Sequence, residues 1–117
     1  MKKLNKQDNE YIISNFYKNN KSAFTFKNQN GFKPRQIYIN NNELYFEYFY
    51  NDYGVIVYIN EQGLHNRISG PAVIFDDGSS PFYWINGQLY PIFYFAKETN
   101  HLICNFCKKF CKQRCFI

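Results

Sequence analysis

The stretch Gly63-Leu64-His65-Asn66-Arg67-Ile68-Ser69-Gly70-Pro71-Ala72-Val73-Ile74-Phe75-Asp76-Asp77-Gly78-Ser79-Ser80-Pro81-Phe82-Tyr83-Trp84-Ile85-Asn86-Gly87-Gln88-Leu89-Tyr90-Pro91 decides the fold. Two turn signals, Asp76-Asp77-Gly78 and Asn86-Gly87, punctuate three short apolar runs. Gly after Asn or Asp supplies the positive-φ positions that tight hairpin loops need, so the stretch reads as a β-meander.

The same pattern extends upstream. Ile37-Tyr38-Ile39 reads as a strand, Asn40-Asn41-Asn42 as a turn, and Leu44 to Tyr50 as a strand interrupted by Glu47 and preceded by Glu43. Asn51-Asp52-Tyr53-Gly54 turns the chain into Val55 to Ile59, and Glu61-Gln62-Gly63 leads out. Aligning the turns exposes a degenerate repeat. Tyr38-Ile39-Asn40 precedes Leu44-Tyr45, Tyr58-Ile59-Asn60 precedes Leu64-His65, and Trp84-Ile85-Asn86 precedes Leu89-Tyr90. The separations are 20 residues from Ile39 to Ile59 and 26 from Ile59 to Ile85. Units of that length are single hairpins, which bury their apolar faces by stacking on neighbours.

Leu64-His65-Asn66-Arg67-Ile68-Ser69-Gly70-Pro71-Ala72-Val73-Ile74, then Asp77-Gly78, then Tyr83-Trp84-Ile85-Asn86-Gly87, resembles a known repeat. It is similar to the MORN-like "LHRxDGPAVI…DG…YWxNG" hairpin repeat of proteins from large DNA viruses, phages and bacteria. The likeness spans about 30 residues, with Gly-Pro-Ala and Trp-x-Asn-Gly its most specific parts. Ser69 stands where the repeat has Asp, and Tyr90 where His often begins the next copy; these departures mark a terminal, capping-like unit. The resemblance implies a β-hairpin scaffold and brings no enzyme activity with it.

Outside the meander the period changes. Asp8 is placed to cap a helix with Ile13, Phe16 and Tyr17 on one face, ended by Asn19-Asn20-Lys21. Residues 22–34 are polar around a short strand at Phe24 to Phe26, with Gly31 and Pro34 as loop positions. After Pro91, the residues Ile92, Phe93, Phe95 and Ala96 suit a short helix that covers one end of the meander and ends at Asn100. The expected fold is mostly β, of the α+β class. It is an antiparallel meander of hairpin repeats with a short N-terminal helix and short C-terminal helices. With 117 residues there is room for one domain: 1–35 helix and edge, 36–91 meander, 92–117 helix and Cys-rich basic tail.

The formal net charge of +5 is gathered at the ends, in Lys2, Lys3 and Lys6 and again in Lys108, Lys109, Lys112 and Arg114. The basic tail either solvates the chain or attracts phosphate backbones without sequence preference. No apolar run of about 7 to 15 residues follows the first lysines, and none reaches the ~18 residues of a membrane span. An intracellular protein is therefore expected, cytoplasmic and, given the viral resemblance, in a host cell or virion. Its thiols are then kept reduced.

That setting governs Cys104, Cys107, Cys111 and Cys115, which with His101 form His-x2-Cys-x2-Cys-x3-Cys-x3-Cys. Reduced thiolates at such spacing are first of all zinc candidates, because Zn²⁺ takes four thiolate or imidazole ligands tetrahedrally. One straight helix would set the four cysteines within a sector of about 80° yet spread them about 16 Å along its axis. A single Zn²⁺ site therefore requires the segment to fold back, or His101 or His65 to replace a cysteine. Two other readings stay open: thiols packing as small hydrophobes, and disulfide or redox chemistry at Cys104 and Cys107.

Elsewhere the chemistry is thin. His65 beside Arg67, and Asp76 with Asp77, read as turn residues before they read as catalytic groups. Trp84 belongs to the strand core, and the aromatics of Leu44 to Tyr50 either cover a sheet or offer a stacking platform for bases. No phosphate loop, nucleophile elbow or Ser-His-Asp order is present. The expected function is a non-enzymatic interaction module with a protein partner, no membrane association and a zinc-binding tail. Nucleic-acid binding through the basic tail is the alternative, and thiol redox chemistry a weaker one.

Overall fold

Residues 43–59 alternate side chains between two environments on either side of a central turn, and they form the longest antiparallel pair in the protein. The computed structural model describes residues 2–20, 36–50 and 52–99. In chain order the elements are β1 Lys2–Lys3, α1 Lys6–Asn19, β2 Tyr38–Asn40, β3 Glu43–Tyr50, β4 Tyr53–Ile59, β5 Val73–Phe75, β6 Tyr83–Ile85, β7 Gln88–Tyr90 and α2 Ile92–Thr99. β1 to β5 lie side by side in that order as one antiparallel sheet, and β6 with β7 forms a second. The fold is thus mostly antiparallel β with a short helix at each end, as its patterning predicts.

Period-two alternation sorts the strand residues. Phe46 pairs with Val57 and Leu44 with Ile59, while Tyr45 pairs with Tyr58 and Glu47 with Ile56. The first set, with Ile37, Val55 and Val73, joins Ile12 and Phe16 of α1 in the core. Phe46 is almost wholly buried and its ring meets that of Phe16 edge-on at 5.1 Å. Burying a side chain of that size stabilises the fold by about 2–3 kcal/mol.

Two local readings are corrected. The helix is capped by Asn5, whose side-chain oxygen accepts the Asp8 amide at 2.8 Å while its Nδ2 donates to the Asp8 carboxylate at 2.9 Å. Asp8 is therefore the third residue of a reciprocal cap, where its charge also suits the helix dipole. The buried stripe is Ile12 and Phe16, flanked by half-buried Ile13 and Tyr17. Lys2 and Lys3 form an exposed edge strand paired with Ile39 and Tyr38. The strand expected at Phe24 to Phe26 lies outside the described residues.

Two of the three aligned hairpins share one geometry, with their first strands one residue away from the sequence alignment and their second strands as aligned. Asn41 and Asn42, with φ of 52° and 62°, form a two-residue loop closed by Asn40 and Glu43. Asn86 and Gly87, with φ of 47° and 83°, form the same loop closed by Ile85 and Gln88. Two successive positive φ values define the type I′ turn that matches strand twist. Tyr38 and Tyr45 therefore correspond to Tyr83 and Tyr90, and Trp84 takes the place of Ile39. The middle unit differs: Ile59 pairs with His65 around a loop one residue longer. There the Asn60 side chain accepts the amides of Gln62 and Leu64, both at 3.0 Å.

This middle loop anchors α1. Asn15 Nδ2 donates to the Glu61 carbonyl at 2.9 Å, Asn19 Nδ2 to the Gln62 carbonyl at 2.6 Å and Asn20 Nδ2 to the Gly63 carbonyl at 3.1 Å. Gly63 has φ of 76°, and a Cβ there would stand 2.2 Å from the Phe16 amide nitrogen. Helix and loop touch backbone to backbone.

Replacing Gly63 with Ala should cost about 3 kcal/mol, from strain and from forcing α1 away. Gly78, at φ of 86° with nothing within 4 Å of its Cβ position, supplies the control. There the same change should cost about 1 kcal/mol, from strain alone. Urea denaturation of both variants checks this, and equal losses would contradict the contact with α1.

Candidate functional site

The segment His65–Arg67 is hydrogen-bonded along both edges. On one side Ile59 pairs with His65 and the Asn66 amide donates to the Tyr58 carbonyl at 3.0 Å. On the other, the Arg67 amide donates to the Trp84 carbonyl at 3.0 Å and the Gly87 amide to the His65 carbonyl at 2.8 Å. The Asn66 side chain accepts the Asn86 amide at 2.9 Å. A second junction lies at Val73 and Phe82, whose amides and carbonyls exchange bonds of 3.1 Å in both directions. The two sheets are thereby stitched together along residues 65–67 and again at Phe82.

Arg67 projects from this seam onto the sheet face away from α1. Its Nε lies 3.3 Å from Glu43 Oε2, its Nη1 donates to the Pro71 carbonyl at 3.2 Å, and its guanidinium sits 3.8 Å above the Tyr58 ring. Ser69 Oγ donates to the same Glu43 carboxylate at 2.6 Å. Beneath Arg67, Tyr58 leans on Tyr45 at 5.4 Å and Tyr45 stacks on Tyr38 at 5.7 Å. The arrangement clamps the Ser69–Pro71 loop to the sheet through charge-assisted hydrogen bonds and a cation–π contact.

The opposite face holds a cleft of about 380 Å³ between α1 and the seam, walled by Phe16, Phe46, Val57, Leu64, His65 and Trp84. The His65 ring lies between Phe16 at 6.1 Å and Trp84 at 5.0 Å. A shallower groove of about 760 Å³ runs along β7 and the start of α2, past Phe82, Leu89, Pro91 and Ile92. α2 itself rests on β6 through Phe95, which is fully buried with its ring 4.8 Å from that of Tyr83.

The residues singled out from the sequence divide cleanly. His65 is a wall of the cleft, and Trp84 packs against the core. Asp76 and Asp77 form the turn: the Asp76 amide donates to the Gly54 carbonyl at 3.0 Å, and Asp77 Oδ1 accepts the Ser79 amide at 2.9 Å. The hydrogen bonds from Ser79 hold the Asp77 carboxyl below its ordinary pKa. Of the aromatics in β3, Tyr45 and Phe46 are buried and Phe49 is exposed, so these rings form no continuous platform. His101, Cys104, Cys107, Cys111, Cys115, Lys108, Lys109, Lys112 and Arg114 lie outside the described residues. Among the described residues no three His, Cys, Asp or Glu side chains are grouped to hold a metal ion, and no helix is long and apolar enough to cross a membrane. The Arg67–Glu43–Ser69 cluster and the cleft join residues far apart in sequence, and only Arg67's place beside His65 in the repeat hinted at either.

No family model matches the chain, and comparison with curated proteins and with solved structures finds no match.

Burial raises the pKa of Tyr45, with the neighbouring Glu47, Tyr58 and Tyr38 adding to it, and burial likewise raises Tyr17 and Tyr83. An acid whose folded pKa is raised contributes stability that is full below its unfolded value, here 10.0, and is lost as pH rises through the folded value. Urea midpoints should therefore hold steady to about pH 9 and fall by about pH 11. Tyr45→Phe should make that fall shallower; an unchanged slope would place Tyr45 in water.

Proposed function

We propose that this chain is a non-enzymatic β-hairpin module that binds another protein by accepting an extended segment as an added strand beside β7. The observation that supports the reading is a contrast between the two outer strands. β1 carries Lys2 and Lys3, both exposed, and lysines on an edge repel a further strand. β7 carries Gln88, Leu89 and Tyr90 and, among the described residues, pairs with β6 alone.

Bonded and non-bonded pairs alternate in an antiparallel ladder, so a loop closed by Ile85 and Gln88 turns the Leu89 amide and carbonyl outward. Beside that edge lie Leu89 at 50% exposure, Phe82 at 46%, Phe93 at 62% and Tyr94 at 65%. An added strand would gain main-chain hydrogen bonds along β7, and its side chains would bury this apolar surface. The hairpins at residues 38–45 and 83–90 share one register, as repeated hairpin units would.

The tail completes the proposal. Cys104, Cys107, Cys111 and Cys115, with His101 as the substitute ligand, bind one Zn²⁺. Their spacing is what supports this.

Panning a displayed peptide library against the full chain should select segments of alternating apolar residues. Leu89→Lys should weaken their binding more than about tenfold, and Phe49→Ser should leave it unchanged. Peptides that bind Leu89→Lys equally well would refute the edge reading. Elemental analysis after purification without chelator should find about one zinc per chain. Metal-free protein whose stability survives Cys104→Ser with Cys107→Ser would remove the zinc site. Retention on single-stranded oligonucleotide, lost steeply with salt and with charge removal at Lys108, Lys109, Lys112 and Arg114, would turn the assignment to nucleic acid.

A further inference from the structure

The cleft between α1 and the seam is separate from the β7 edge and has chemistry of its own. We infer that it is a binding site for a small, uncharged, flat apolar molecule, received against the contiguous rings of Phe16, His65 and Trp84.

Volume is the first argument. Protein interiors leave few voids larger than a water molecule, whereas small-ligand sites occupy roughly 300 to 1,000 Å³. The cleft, at about 380 Å³, has room for such a ligand.

The lining is the second. No Asp, Glu, Lys or Arg is among the described residues that line the cleft. A charged ligand would lose its hydration against these residues without gaining a counter-charge from them. Phe16 meets Phe46 edge-on at 5.1 Å, and His65 leans between Phe16 at 6.1 Å and Trp84 at 5.0 Å. Rings set at differing tilts present both faces and edges, which suits a planar guest. Asn19 and Asn20 mark the polar rim, with their Nδ2 groups donating to the Gln62 and Gly63 carbonyls.

Rigidity is the third. One wall is α1, held against the middle loop by Asn15 and Asn19 and by the backbone contact at Gly63. The other is the seam, held along both edges of residues 65–67. Neither wall can move inward to close the space without breaking these bonds. The site is accordingly preformed, and binding carries little ordering cost.

Trp84 is the only tryptophan of the chain and lines this cleft, so its emission reports binding while the nuclear Overhauser contacts locate it. Titration of the full chain with 1-aminoanthracene should quench Trp84 saturably, with a Kd below about 50 µM and one site per chain. Leu64→Phe narrows the cleft and should weaken binding more than about tenfold at an unchanged urea midpoint. In the unaltered chain, nuclear Overhauser contacts should run from the probe to the methyl groups of Val57, Leu64 and Val73, which makes the test independent of how that variant folds. Leu89→Lys should bind the probe normally, which separates this site from the strand-addition edge.

Unquenched Trp84, or contacts at Leu89 and Ile92 in place of Val57 and Leu64, would overturn the inference. So would probe binding gained only on changing Phe24 and Phe26 to Ser, since the chain would then be its own occupant.

Discussion

Residues 65–67 satisfy backbone partners on both sides, and this double obligation holds the rest of the structure in place. A strand of three residues has too few hydrogen bonds to be stable alone. Here each edge borrows stability from a different sheet: β4 supplies one set of partners and β6 with its turn supplies the other. The consequence reaches the side chains. His65 must face α1 because Ile59, its partner, does, and Arg67, two residues on but beyond the end of regular pairing, reaches across to Glu43 and the Tyr58 ring.

Asparagine is the residue that makes this economical. It occupies the positive-φ positions of two hairpins at Asn41, Asn42 and Asn86, caps α1 at Asn5, and nucleates the middle loop at Asn60. From α1 it reaches across at Asn15, Asn19 and Asn20 to carbonyls of that loop. A short amide tolerates left-handed backbone and carries both donor and acceptor, so one residue type answers several backbone needs. An Asn-rich composition that looks like compositional bias is here put to structural use.

The turns were legible in the sequence because each depends on two or three adjacent residues, and Asn86-Gly87 and Asp76-Asp77-Gly78 announce themselves. The strands between them followed from period-two patterning. The hairpin register was harder to read: aligning Ile39 with Ile85 matches identities, whereas the loops align Ile39 with Trp84. The cap of α1 was ambiguous because Asn5 and Asp8 offer the same chemistry three residues apart. The cleft was invisible, since its walls combine residues as distant as Phe16 and Trp84, and no local pattern encodes their meeting. The cysteine tail was the most legible chemistry in the chain, and it falls outside the described residues.

The hold of the middle loop on α1 also bears on how the protein is made. The helix has 14 residues, a length at which an isolated helix in water is marginal. Its loop partners lie 43 to 46 residues further along. During synthesis α1 therefore emerges before its partners: Ile37, whose amide donates to the Asn9 side chain, and Phe46 come first, and the loop bonds form only when Glu61 to Gly63 have left the ribosome. The helix is thus secured in two stages, first by β2 and β3 and then by the middle loop.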